Sequence, residues 1–115
     1  MTPEFWIRTG AALMLAAVAL GAFGAHALRS RLTPELLGVF ETGVRWHVYH
    51  ALGLIGLGAA RGPGAAGWCF VAGVIVFSGS LYALALTGQR WLGAITPVGG
   101  ALFLLGWAIM LKSVR

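Results

Sequence analysis

Long apolar stretches separated by short polar breaks dominate the pattern of this chain. The first stretch runs from about residue 7 to 28, with no charged residue between Arg8 and Arg29. At 1.5 Å per residue, a helix of that length crosses a hydrocarbon core of roughly 30 Å. Two stretches of similar length and character follow at about 65–87 and 91–111. The pattern therefore predicts a transmembrane helix over each of the three.

The region between the first and third spans has a more mixed pattern. Thr33-Pro34-Glu35 is typical of a helix start, with Thr33 as the capping residue. Residues 34–45 then place apolar side chains on one helical face and charged ones on another. Residues 46–60 are largely apolar and end at a Gly-Pro turn. We therefore expect an interfacial amphipathic segment over 34–45 that leads into a shorter second span over 46–60.

These elements predict an all-α membrane protein with a single domain, residues 1–115. Short connections force neighbouring spans to run antiparallel, so we expect four transmembrane helices in an up-down bundle. Pro97, inside the last apolar stretch, either kinks the fourth helix or marks its true beginning with Thr96 as the cap. Basic residues are nearly balanced between the two sides, and we expect both termini to be cytoplasmic.

Composition agrees with this class and excludes others. The chain is 59% hydrophobic and 10% charged, whereas soluble domains carry about 25% charged residues. Its formal net charge of +5 comes from scattered basic residues, as in flanking anchors such as Lys112 and Arg115. That spacing excludes nucleic-acid binding. Cys69, a lone cysteine, excludes an internal disulfide. The first stretch loosely resembles a signal peptide, but its length predicts a retained helix.

Polar side chains at membrane depth are costly, and they are the natural place to look for function. The first span ends near a histidine, and the second helix begins with several polar residues, so these groups should meet near one membrane face. This candidate polar cluster consists of His26, Glu41, Thr42, Arg45, Tyr49 and His50.

Several interpretations of the cluster are open. With His47, three imidazoles and Glu41 could surround zinc or copper, and His26 with His50 could hold a haem. Alternatively, the side chains bond one another and backbone carbonyls, and Glu41 pairs with Arg45 one turn later. We favour this structural interpretation and expect no metal and no cofactor.

A second polar set lies in the third and fourth spans. Serine hydroxyls can bond the carbonyl one turn earlier, so these residues need no ligand to be satisfied. They either line a polar cavity or form a close-packed seam between the two helices. The candidate intramembrane seam consists of Ser78, Ser80, Tyr82, Thr96 and Pro97. Because the chain has no nucleophile elbow, no paired carboxylates and no phosphate-binding loop, we expect no enzymatic activity.

Five short motifs, in order along the chain, resemble the YgdD-like family of small membrane proteins, also catalogued as domain of unknown function 423. They are Gly21-Ala-Phe-Gly-Ala-His-Ala-Leu28, Phe40-Glu-Thr-Gly43, Tyr49-His-Ala-Leu-Gly53, Phe77-Ser-Gly-Ser-Leu-Tyr82 and Thr96-Pro-Val-Gly-Gly100. The resemblance implies a multi-pass protein of the bacterial inner membrane, and it assigns no activity. The family pattern includes positions matching His26, Glu41 and His50 but not His47, which favours a His26–His50 pair held with Glu41.

The resulting functional expectation is a small, non-enzymatic integral membrane protein. Its partners would be the lipid bilayer together with further copies of itself or a larger membrane complex. Three alternatives remain open at this point: a small ion, proton or solute transporter or channel subunit, an accessory subunit of a larger complex, and a haem- or metal-binding protein.

Overall fold

The computed structural model of the protein describes residues 1–114, and no strand occurs among them. Arg115, expected as one of the flanking charges, lies outside the described residues. Four helices account for most of the described chain. They are α1 (Pro3–Leu28), α2 (Pro34–Ala59), α3 (Gly64–Thr87) and α4 (Arg90–Ser113).

The first two helices begin with side-chain caps of the same kind. The Thr2 hydroxyl accepts a hydrogen bond from the backbone N–H of Phe5 at 3.1 Å. Thr33 does the same for Leu36 at 3.2 Å, and a proline follows each threonine. Helix α2 then continues for 26 residues without a break. The predicted interfacial segment and the second span are therefore parts of one continuous helix.

Helices α1 and α3 each contain a π-helical segment, in which a backbone N–H bonds the carbonyl five residues earlier rather than four. The segment in α1 is Ala19–Gly24, and the one in α3 is Val74–Ser78. Such a segment changes which residues after it face the neighbouring helices, compared with an uninterrupted α-helix of the same sequence. In α3 it ends at Ser78 and comes just before Ser80, and both serines belong to the predicted seam.

The beginning of α4 answers the question about Pro97. Its first turn is a 3₁₀-helix over Arg90–Ala94, and the regular α-helix starts at Thr96. Pro97 lies in the first turn of that α-helix, where a proline removes no backbone hydrogen bond. Pro97 thus marks a beginning rather than a kink. The capping position itself is taken by Ile95, which makes no side-chain bond.

Helix α2 lies at the centre, packed against α1 on one side and α3 on another, and α4 packs against α3. The α1–α2 contact depends on glycines. A Cβ atom built on Gly10 would lie 2.6 Å from the Ala51 carbonyl oxygen, and one on Gly58 would lie 2.6 Å from that of Pro3. At one end of the molecule Trp6 is buried with Leu54, Leu57, Ala66 and Phe70.

Three of the helices, α1, α3 and α4, are long and apolar enough to cross a membrane. Helix α2 is not among them, since Arg45, His47 and His50 interrupt its apolar pattern. Both histidines of α2 are nonetheless buried within the protein. The described fold is therefore all-α with three candidate membrane spans and a less apolar helix at its centre.

Candidate functional site

A cleft of about 350 Å³ lies between the end of α1 and the first half of α2. The π-helical segment of α1 supplies one wall, because Gly21 and Gly24 allow Val44 and Phe40 of α2 to approach closely. The prediction that His26 approaches the polar start of the second helix concerns this region, and the structure brings His26 and Glu41 into one cleft. Its lining residues are Gly21, Ala22, Ala25, His26, Arg29, Glu41 and Val44.

The remaining members of the predicted cluster do not line this cleft. The Thr42 hydroxyl donates to the Gly38 carbonyl oxygen at 2.9 Å, within its own helix. Arg45 is exposed, and Tyr49, which is 47% exposed, contacts the Trp46 ring with centroids 5.4 Å apart. These three side chains lie along α2 without a shared centre.

His50 is buried away from the cleft, against α4. Its ring stacks on Phe103, with centroids 3.5 Å apart and planes 5° from parallel. Its Nδ1–H donates to the Trp46 carbonyl oxygen at 2.8 Å, and its Nε2 accepts from the Trp107 indole N–H at 2.9 Å. Both nitrogens are engaged within the protein, so neither is free to bind a metal or a haem iron.

The expected pairing of His26 with His50 is therefore corrected. Nine residues separate Glu41 from His50 along α2, a rise of roughly 13 Å, and His50 turns towards Trp107 instead. Among residues 1–114 no group of three or more His, Cys, Asp or Glu side chains could hold a metal ion. The geometry of His50 thus gives the haem and metal alternatives no support.

The predicted seam between the third and fourth spans has a direct contact. Ser80 and Thr96 share a hydrogen bond between their hydroxyl oxygens at 2.6 Å, and Ser80 also reaches the Phe77 carbonyl at 2.8 Å. Ser78, which is fully buried, instead donates to the Gly43 carbonyl of α2 at 2.7 Å. The exposed Pro97 contributes only to the start of its helix.

His47, which is not part of the predicted polar cluster, is a buried polar residue. Its Nδ1 and the Tyr82 hydroxyl are hydrogen-bonded at 2.9 Å, which joins α2 to α3. Its Nε2 is buried without a hydrogen-bond partner, although the backbone of Leu13 lies beside the ring. The burial of His47 could have been predicted from helical spacing, since it follows Gly43 by four residues and precedes His50 by three, and all three lie on the buried face.

The ion pair differs from the expected one. In the part of the chain that the structure describes, Glu41 and Arg45 form no salt bridge, and Arg90 of α4 pairs with Glu35 of α2 at 2.8 Å. Both partners of this pair are largely exposed. The charge of Glu41 is thus left facing the cleft.

Comparison with known proteins identifies the family. The family described as "Protein of unknown function (DUF423)" matches residues 20–100, which include both polar regions described above. The chain belongs to this family. Among its relatives, the UPF0382 membrane protein of Staphylococcus haemolyticus is 45% identical, with 96% of this chain and 94% of the relative covered.

Two further members extend the comparison to other bacteria. The UPF0382 membrane protein YwdK of Bacillus subtilis is 44% identical, with 93% of each chain covered. The UPF0382 inner membrane protein YgdD of Escherichia coli is 39% identical over 96% of this chain and 89% of its own length. No solved structure matches significantly. The chain is therefore a membrane protein of the family that the motifs predicted.

Proposed function

We propose that the protein is a non-enzymatic membrane protein with four spans in an up-down arrangement, whose buried polar side chains fasten its helices together. One observation carries the proposal: the buried polar side chains bond across helix boundaries. Ser78 reaches α2, Ser80 meets α4, and Trp107 meets His50. Groups bonded in this way satisfy each other at membrane depth and need neither substrate nor cofactor.

Helix α2 is the second span of this proposal. Its interrupting histidines face the neighbouring helices rather than lipid, because His47 and His50 are only 4% and 2% exposed. A helix shielded in this way can cross a bilayer with less apolar character than its neighbours. With four crossings both termini lie on one side, which we assign to the cytoplasm.

Labelling of single cysteines tests the number of spans. In a Cys69→Ser background, the exposed turn and terminal residues Thr2, Ser30, Ala60, Gln89 and Ser113 would be replaced by cysteine one at a time and treated with a membrane-impermeant maleimide in intact cells. Four spans place residues 30 and 89 on the outer side and the other three positions inside. If α2 does not cross, residues 30 and 60 react alike and the two termini differ, which contradicts the proposal.

Self-association belongs to the same proposal. The molecule measures 47 × 27 × 18 Å, so its cross-section is wider in one direction than in the other. Only 6% of the apolar window of α1 and 17% of that of α4 are buried within one chain. These two helices have few fully buried residues, and their small residues are suited to contact with another copy.

A proton- or ion-handling role is the second candidate, and the unpartnered Nε2 of His47 favours it. A buried imidazole nitrogen without a partner is costly unless it exchanges a proton or binds a water molecule. Purified protein in liposomes loaded with a pH-sensitive dye would test this role. Proton flux that disappears in His47→Phe would establish it, and liposomes as tight as empty ones would exclude it.

A further inference from the structure

None of the residues that line the cleft between α1 and α2 takes part in the interhelical hydrogen bonds described above. Its walls are small and apolar at Gly21, Ala22 and Ala25, and its polar groups come from His26, Arg29 and Glu41. A volume of about 350 Å³ is near the lower end of small-ligand sites. The cleft is therefore large enough for a small polar group and too small for a large cofactor.

The charges of the cleft are of both signs. Arg29 presents a guanidinium and His26 an imidazole, while Glu41 presents a carboxylate on the facing helix. Neither Arg29 nor Glu41 forms a salt bridge with another residue in the range 1–114. A guanidinium and an imidazole N–H donate hydrogen bonds to phosphate oxygens, and a carboxylate accepts hydrogen bonds from an ammonium group. This set is complementary to a molecule that carries both charges a few atoms apart.

The position of the cleft indicates where that molecule comes from. Arg29 follows directly after the end of α1, one of the three candidate spans, so it lies at the membrane surface. Gly21, Ala22 and Ala25 lie one to two turns deeper along the same helix. A molecule bound here has its charged part among Arg29, His26 and Glu41 and its apolar part beside the small residues, towards the hydrocarbon core.

We propose that the cleft binds the head group of a phospholipid with a free amine, a phosphoethanolamine lipid, with the phosphate at Arg29 and His26 and the ammonium at Glu41. The small side chains of the π-helical segment then make room for the start of an acyl chain. This inference does not depend on the number of spans, because it requires only that α1 cross the membrane.

Native mass spectrometry of the purified protein in detergent tests the assignment. The probes are phosphatidylethanolamine, phosphatidylcholine and phosphatidylglycerol with identical acyl chains. Wild type should retain the ethanolamine lipid roughly tenfold better than the choline lipid, whose methylated amine cannot donate a hydrogen bond to Glu41. Glu41→Gln should remove this preference, and Arg29→Ala should weaken the binding of all three lipids.

Matched controls separate the cleft from the general charge of the region. Glu35→Gln and Arg31→Ala change the same charges on neighbouring residues that do not line the cleft, and both should bind like wild type. Ala25→Leu fills the cleft without changing its charge and should lower binding. Circular dichroism of each variant confirms that it is folded before it is compared.

Three results would overturn the proposal. The first is equal retention of ethanolamine and choline lipids by wild type. The second is identical behaviour of Glu41→Gln and Glu35→Gln. The third is displacement of the lipid by soluble phosphoethanolamine as effectively as by a short-chain ethanolamine lipid, which would make the ligand a soluble zwitterion instead.

Discussion

At the scale of single residues, several buried polar side chains of this protein form hydrogen bonds that join different helices. The Trp107 indole and His50 join α4 to α2, and Ser80 and Thr96 join α3 to α4. Because the hydrocarbon core supplies no water, removing one partner of such a hydrogen bond leaves the other polar group without a partner. The effect of such a change is therefore measurable as a loss of stability.

Replacement of Trp107 by Phe keeps the aromatic packing but removes the indole donor. His50 Nε2 then has no partner, and we expect the free energy of unfolding to fall by about 1 kcal/mol. Unfolding in detergent by titration with SDS measures this change. Trp91, which is 63% exposed, provides the control, and equal loss in Trp91→Phe would contradict the role assigned to the Trp107–His50 bond.

Gly43 is a second position, at which one added carbon atom should disturb the packing of two helices. A Cβ atom here would lie 2.8 Å from the Tyr82 ring, so Gly43→Ala should displace that ring and weaken its bond to His47. We expect a loss of about 1–3 kcal/mol. Gly38→Ala and Gly56→Ala on the same helix meet open space and should cause no loss. The same unfolding titration would contradict this expectation if the three variants behave alike.

At the scale of helices, the elements differ in how they are held. The hydrogen bonds described above join α2, α3 and α4, whereas α1 packs through glycines and through Trp6, whose ring lies directly over Gly67. Close backbone approach is a common way to associate helices in lipid. We infer that α1 is attached by shape and the other three helices by shape together with hydrogen bonds.

The end of α2 stores backbone strain that one substitution can relieve. Arg61 has a φ of 55°, in the left-handed region that favours glycine. We expect Arg61→Gly to raise the free energy of unfolding by about 1 kcal/mol. Arg61→Ala removes the same charge without relieving the strain and should bring no such gain. A matching gain in both variants, measured by thermal unfolding in detergent, would assign the effect to charge instead.

Most helix ends lie close to the predicted ones because they depend on local signals, although α1 begins at Pro3 rather than near residue 7. Caps such as Thr33 and turns such as the one at Gly62 act within a few residues. The placement of His26 and Glu41 around one cleft also follows from chain order, since a short turn joins their helices. The bond between His50 and Trp107, however, joins residues 57 positions apart and depends on which faces meet. That choice is altered by π-helical segments, for which a single sequence carries no clear signal.

At the scale of the whole molecule, the outward faces of α1 and α4 bear on assembly. The protein has a mass of 12.0 kDa, and only 6% of the apolar window of α1 and 17% of that of α4 are buried within one chain. We expect particles larger than one chain in mild detergent, because these surfaces favour contact with further copies. Light scattering coupled to size exclusion, with the detergent mass subtracted, measures this. A mass of one chain across a wide concentration range would contradict self-association.

The π-helical segment of α3 has a consequence for how the sequence can vary. A segment of this kind contains one extra residue relative to a regular helix, and each residue advances the helix by about 100°. The segment absorbs that residue within one wider turn, so deleting one residue within Val74–Ser78 would leave an uninterrupted α-helix with its two halves still in phase. Deleting one residue from the regular helix between Phe70 and Tyr82 would instead rotate these two side chains by about 100° relative to each other. A sequence one residue shorter inside the segment could therefore build the same protein, whereas one shortened elsewhere in this stretch of α3 could not.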